Sequence, residues 1–221
     1  AGNPEGLVLD GTGGGVLAAS RIDGGSTHGT APNITVNNGH TVTQDGGTII
    51  TASGHHVYIG DVGAGTWIQN AGILSTAVNS VRLGRDGGSG TLIRNNGTTN
   101  IAGSFYIGGD ESGATGGAGT YIQNAGSAVS GREIILGSSI GAVGTGTYLM
   151  SGGELNSTRQ IRLGGANGGP GTGHFEMSGG TINASENLRV GHTTNTSGTF
   201  TFSDGTINLS GNGNLEIAPG S

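Results

Sequence analysis

The chain has 221 residues, of which 51 are glycine, four are proline and none is cysteine, and its formal charge is −6, from 14 acids against eight basic residues that are all arginine. That charge argues against a nucleic-acid backbone as partner, and the lack of cysteine removes disulfides and thiolate metal sites. Glycine does not fall at every third position, which excludes collagen, while a charged fraction of only 10% with ordered apolar alternation argues against disorder.

No apolar run reaches the roughly 18 residues of a membrane span. The start AGNPEG lacks the basic and apolar regions of a signal peptide, so an exported protein is read here in its mature form. The expected location is extracellular or at the cell surface.

Taken in order, the predicted elements repeat. An apolar-x-apolar triplet opens each unit at Leu7/Leu9, Ile34/Val36, Val57/Ile59, Val81/Leu83, Phe105/Ile107, Ile134/Leu136, Ile161/Leu163, Leu188/Val190 and Leu215/Ile217. Successive starts are 27, 23, 24, 24, 29, 27, 27 and 27 residues apart. Length variation is confined to the Gly-rich loop after the triplet, as in GDVGAGT and GGDESGATGGAGT.

A second strand follows a Gly-Thr turn or its equivalent: Trp67–Gln69, Leu92–Arg94, Tyr121–Gln123, Tyr148–Met150, Phe175–Met177 and Phe200–Phe202. A third follows an Asn/Ser-x-Gly turn, around Leu74, Thr99, Val129, Leu155, Ile182 and Ile207. None of these segments has the 3.6-residue period of a helix. One such unit cannot bury its own apolar face, so units stack at about 4.8 Å per coil. The expected fold is all-β: a single parallel β-solenoid over residues 1–221, three-sided and right-handed, with about eight coils of 23–29 residues.

Strand alternation then assigns faces. In the triplet the flanking residues point in, leaving Tyr58, Arg82, Tyr106, Ile135, Arg162 and Arg189 outside. In the second strand, Glu176 and Thr201 mark the middle position as solvent-facing, so Phe175, Met177, Phe200 and Phe202 fill the core. Carried back by register, that rule buries Trp67 and Tyr121 beside Gln69, Arg94 and Gln123. It exposes the apolar row Ile68, Ile93, Ile122 and Leu149, flanked by Thr66, Thr91, Thr120 and Thr147, whereas the opposite orientation exposes the row Trp67, Leu92, Tyr121 and Tyr148. The buried amides are expected to hydrogen-bond one another. An unpaired charge is costly inside, so Arg94 is expected to reach out at a corner.

The phrases GTYIQNAG, GTYLMSGGEL, GTGHFEMSGGTIN and LRVG resemble the coils of bacterial autotransporter-associated β-strand repeat and PEP-CTERM-type surface proteins. The resemblance runs from about residue 34 to 217. It implies an exported or surface solenoid, and it brings no catalytic motif.

Asp61, Asp86, Asp110 and Glu111 fall at corresponding corners, where carboxylates could ligate calcium. Asp also simply favours Gly-rich turns, the GGxGxDxUx nonapeptide is missing, and later coils carry Ser138, Asn167 and Thr193 instead. The expectation is no cofactor, with calcium as the alternative. Arg82, Arg162 and Arg189 share a face with Tyr58, Tyr106 and Ile135 and no acid between them, which lacks the carboxylate cluster of a polysaccharide lyase or hydrolase. His55 and His56, adjacent in sequence, are expected on opposite faces of a strand, which argues against joint metal ligation.

The threonine row invites ice binding, but it is single and Gly173-His174 interrupts it. The row of Tyr58, Arg82, Tyr106, Arg162 and Arg189 could stack on glycans, and the apolar row could form an interface. No capping helix is visible, and Leu7 and Leu9 at one end match Leu215 and Ile217 at the other, so copies could stack head to tail into a filament. The leading expectation is a non-enzymatic extracellular structural protein that self-associates end to end into a filament, sheath or surface layer. The alternative is a carbohydrate-binding or adhesin module of a larger exported protein, with a polysaccharide lyase and an ice-binding protein ranked below it.

Overall fold

Three short strands per period need corners that turn without a long loop, and glycine supplies them. The glycine closing each triplet from Val57–Ile59 to Leu188–Val190 takes a left-handed backbone, as Gly164 does with φ of 91°. Gly90, in the Gly-Thr turn, is required for a different reason. A Cβ built there would lie 1.8 Å from the Ile59 carbonyl oxygen, so the second strand starts in backbone contact with the first strand of the preceding coil.

The computed structural model describes residues 8–9, 20–22, 27–31, 33–51, 53–110, 115–138, 141–165, 169–191 and 195–218. It is all-β, with parallel pairing throughout and no helix among the described residues. First strands build a nine-stranded sheet in the order Val8–Leu9, Ile34–Val36, Val57–Ile59, Val81–Leu83, Phe105–Gly109, Ile134–Ser138, Ile161–Leu163, Leu188–Val190 and Leu215–Ile217. Each of these pairs with the strand one coil away, which defines a β-solenoid.

The other two sides belong to one 14-stranded sheet. Its second strands are Ser89–Arg94, Ala118–Gln123, Gly144–Met150, Gly171–Met177 and Thr196–Phe202. Its third strands are Thr98–Ile101, Ser127–Ser130, Glu154–Ser157, Thr181–Ala184 and Thr206–Leu209. Ala64–Thr76 carries both sides of its coil in one strand.

About six turns, from Val57 to Asn214, repeat the whole circuit, somewhat fewer than the eight expected from counting triplets. In the turn before them the second and third sides run together as His40–Thr51, whose register against Ala64–Thr76 breaks around Asp45. Of the turn before that, only Val8–Leu9, Ser20–Ile22 and Thr27–Ala31 are described.

The core is a stack of equivalent positions. Val57, Ile59, Val81, Leu83, Ile107, Leu136, Ile161 and Leu163 line the first side, and Trp67, Leu92, Tyr121, Tyr148 and Phe175 line the second. The aromatic rings run in one column: Tyr121 to Tyr148 at 4.6 Å between centroids, Tyr148 to Phe175 at 4.3 Å, and Phe175 to Phe200 at 5.3 Å. On the third side the inward residue of its coil is Ala128, and the expected Val129 sits at the alternate position because Ala128 is the partner of both Thr99 and Leu155.

The middle residues of the triplets form a straight row on the outer surface, Thr35–Tyr58–Arg82–Tyr106–Ile135–Arg162–Arg189–Glu216. Not all of it is open. Tyr106 is 6% exposed and Ile135 is fully covered, the two forming a small apolar cluster separate from the main core. Arg162 is also buried at 9%. Pointing outward is a property of the strand, whereas exposure depends on what the neighbouring corners lay over it.

Candidate functional site

Two polar constellations arise from this frame, one on the outer row and one inside. The outer one joins the first side to the corner that follows it. Arg82 lies between two aromatic rings, its guanidinium carbon 5.7 Å from the Tyr58 centroid and 5.5 Å from that of Tyr106. Arg85, at the corner, sits 5.3 Å from the Tyr58 ring. The carboxylates proposed for calcium converge on these cations: Asp110 is 3.0 Å from Arg82 and 2.8 Å from Arg85, Asp61 is 3.2 Å from Arg85, and Asp86 is 3.0 Å from Arg85. Three acids thus share two guanidinium groups, and the Asp110 side chain is fully buried. Glu111, Asn167 and Thr193 lie outside the described residues.

The expectation of an arginine face with no acid beside it is therefore corrected. Besides the Asp110 pair, Arg162 meets Glu133 at 3.1 Å and accepts company from Gln160, whose Oε1 takes its Nε–H at 3.2 Å, while Arg189 pairs with Glu216. Asp110 and Glu133 come from outside the row, where inspection along it does not reach, whereas Glu216 stands in the row itself beside Arg189. No group of three or more His, Cys, Asp or Glu side chains suited to a metal occurs among the described residues.

His56 belongs to the same constellation. Its ring centroid is 5.5 Å from that of Tyr58, and its Nδ1 accepts the Ser80 N–H at 3.2 Å. Burial, and then the Arg82 guanidinium, hold its pKa below the usual 6.5. The unfolded chain therefore takes up this proton first as pH falls, so stability decreases from about pH 7 down to the folded value. Burial pushes the Asp61 carboxyl up against the pull of Arg85, which works in the opposite direction at lower pH, where the folded state protonates first. Thermal unfolding of the wild type between about pH 7 and pH 5 is expected to show a falling midpoint that flattens in His56→Gln. Parallel curves for the two proteins would remove this role.

Inside, a polar seam runs up the corner between the second and third sides. Gln44, Gln69, Arg94 and Gln123 are partners in one row, which continues as Met150 and Met177. All six are buried. The glutamines do not hydrogen-bond one another as expected. Their Nε2 atoms donate across the corner to backbone carbonyls one coil on: Gln44 to Ile73 and Gln69 to Thr98, each at 3.0 Å, and Gln123 to Glu154 at 2.9 Å. Gln123 Oε1 accepts from the hydroxyls of Tyr121 at 2.9 Å and Tyr148 at 2.6 Å.

Arg94 is the larger correction. It is fully buried instead of reaching out at the corner, with its Nε donating to Gln69 Oε1 at 3.1 Å and its guanidinium carbon 5.4 Å from the Tyr121 centroid. A neutral amide oxygen and an aromatic face take the place of the carboxylate that cost reasoning demands.

On the second side the middle residues Ile68, Ile93, Ile122 and Leu149 point outward in register and are half-exposed, beside the row Thr66, Thr91, Thr120 and Thr147. Both rows change character at His174 and Glu176. At the next corner an exposed amide ladder links coils, Asn124 donating to Asn95 at 2.8 Å and Asn95 to Asn70 at 2.7 Å.

Among the end-stacking candidates, Leu7 lies outside the described residues and Leu9 is placed as the strand partner of Val36. Leu215 is 52% exposed and Ile217 72%. Compared with family models, curated proteins and solved structures, the chain gives no match.

Proposed function

We propose that this chain is a non-enzymatic structural protein of the cell exterior, a β-solenoid subunit that stacks end to end on further copies of itself into a filament, sheath or surface layer. The observation that carries the reading is the in-register parallel pairing of equivalent strands, coil on coil, from Ile34–Val36 to Leu215–Ile217. Each rung therefore presents the strand pitch and the apolar row that a coil of a second copy would need, as Met177 and Leu188 illustrate by lying fully buried against the next rung. Such contacts are heterologous and grow until something blocks them.

Two further points support the reading. The outward arginines Arg82, Arg85, Arg162 and Arg189 are engaged with carboxylates, an arrangement suited to holding coils together and unlike an acid–base pair poised on a substrate. The resemblance of GTYIQNAG and its relatives to surface-protein coils fits export. Sedimentation velocity and negative-stain microscopy test it: length should grow with concentration in discrete increments, and Leu215→Lys/Ile217→Lys should hold the chain monomeric. A wild type that stays monomeric at high concentration overturns it.

A further inference from the structure

An arginine side chain presents five N–H groups in a planar fork and carries a positive charge in proteins; for Arg94 the question is what meets them. Nε is accounted for by Gln69, but Nη1 and Nη2 are buried and have no hydrogen-bond acceptor among the described residues. The amide oxygens of the row are already occupied: Gln69 Oε1 also takes the Thr99 hydroxyl at 3.0 Å, and Gln123 Oε1 takes both tyrosine hydroxyls. The Tyr121 ring covers a face of the guanidinium and leaves its edge, where the four remaining N–H groups point, unmatched.

Charge is a separate deficit. None of the ion pairs formed among the described residues includes Arg94. The two phenols beside it supply no negative charge, because burial outweighs the pull of Arg94 and pushes Tyr121 up to about 12 and Tyr148 well above the ordinary tyrosine value. A full positive charge enclosed in a low-dielectric interior without a partner is strongly unfavourable. Nor does the space call for arginine, since the same row is filled by Gln69 and Gln123 on either side and by Met150 and Met177 beyond.

We propose that Nη1 and Nη2 of Arg94 hold a small monovalent anion, chloride in ordinary salt, enclosed within the solenoid. Water would complete the hydrogen bonds and leave the charge uncompensated, whereas a halide satisfies both. It touches the edge of the fork, while Gln69 and Tyr121 fix the fork from the coils on either side. The anion is a structural ligand. It joins the coils of Gln69, Arg94 and Tyr121 in a chain that has no disulfide to do so.

The site is enclosed, so exchange is made through unfolding. Full-length protein refolded in sodium bromide and crystallised should show an anomalous bromine peak within hydrogen-bonding reach of both Nη atoms. At constant ionic strength, replacing gluconate by chloride should raise the unfolding midpoint of the wild type and leave that of Arg94→Met unmoved. Met150 and Met177 predict that this variant folds, and Arg94→Gln serves as a second on the precedent of Gln69. Ordered water without bromine at the fork, or the same chloride response in wild type and both variants, overturns the proposal. The diffraction arm requires no variant.

Discussion

Gly90→Ala is expected to destabilise the solenoid by about 3 kcal/mol, the upper range for forcing atoms into a packed interior. The new Cβ would stand 1.8 Å from the Ile59 oxygen, 2.5 Å from the Gly84 nitrogen and 2.8 Å from the Ile59 carbonyl carbon. These are backbone atoms tied to each other, since Gly84 N–H donates to Ile59 O at 2.9 Å. No rotamer change relieves the clash, and moving the first strand would break its pairing with both neighbours. Gly39→Ala makes the control: it has φ of 80° and nothing within 4 Å of the added carbon, so only the left-handed backbone resists, at about 1–2 kcal/mol. Urea unfolding of both variants decides the matter. A midpoint for Gly90→Ala no lower than that of Gly39→Ala would show that the corner yields.

The Gly-Thr phrase was legible in the sequence as a turn, but its reason was not. A glycine chosen for left-handed φ and one chosen for close approach look the same in one dimension. The period, the three sides and the inward residues of the second strand could be read because Glu176 and Thr201 fix a face and strand alternation carries that face through every coil. The same rule placed Arg94 inside, and the cost of a buried charge argued it back out. The legible signal was the row itself, Gln44, Gln69 and Gln123 at the equivalent position, which provides an amide oxygen from the coil before and a polar corner around the guanidinium. The outer row failed differently. Arg82 finds Asp110 in the corner of the next coil, 28 residues on in sequence, a contact that a search among strand neighbours never samples. Tyr106 and Ile135 are covered although strand alternation points them outward, and alternation carries no information about what lies above a face.

Phe175→Ala is expected to have the largest effect, about 3–5 kcal/mol, because its fully buried ring sits inside a continuous column and the cavity has rigid walls. Tyr148 lies almost parallel to it on one side, 12° off plane, and Phe200 meets it edge-on from the other. A solenoid distributes such damage unevenly, since each coil touches only its neighbours. Below Phe175 the column continues through Tyr148 to Tyr121, held as well by the hydroxyl bonds to Gln123. Above it, Phe200 has as ring partners among the described residues only Phe175 and Phe202, and Phe202 is 49% exposed. Removing the ring should therefore uncouple the turns after Leu188 while those from Val57 to Met150 keep their order. Amide hydrogen exchange read by mass spectrometry distinguishes this from global loosening. Protection in peptides covering 188–218 should collapse towards that of the unfolded chain, with peptides covering 57–150 changed far less. A uniform loss along the chain would mean that the rod unfolds as one unit and that the nearest-neighbour picture of its stability is wrong.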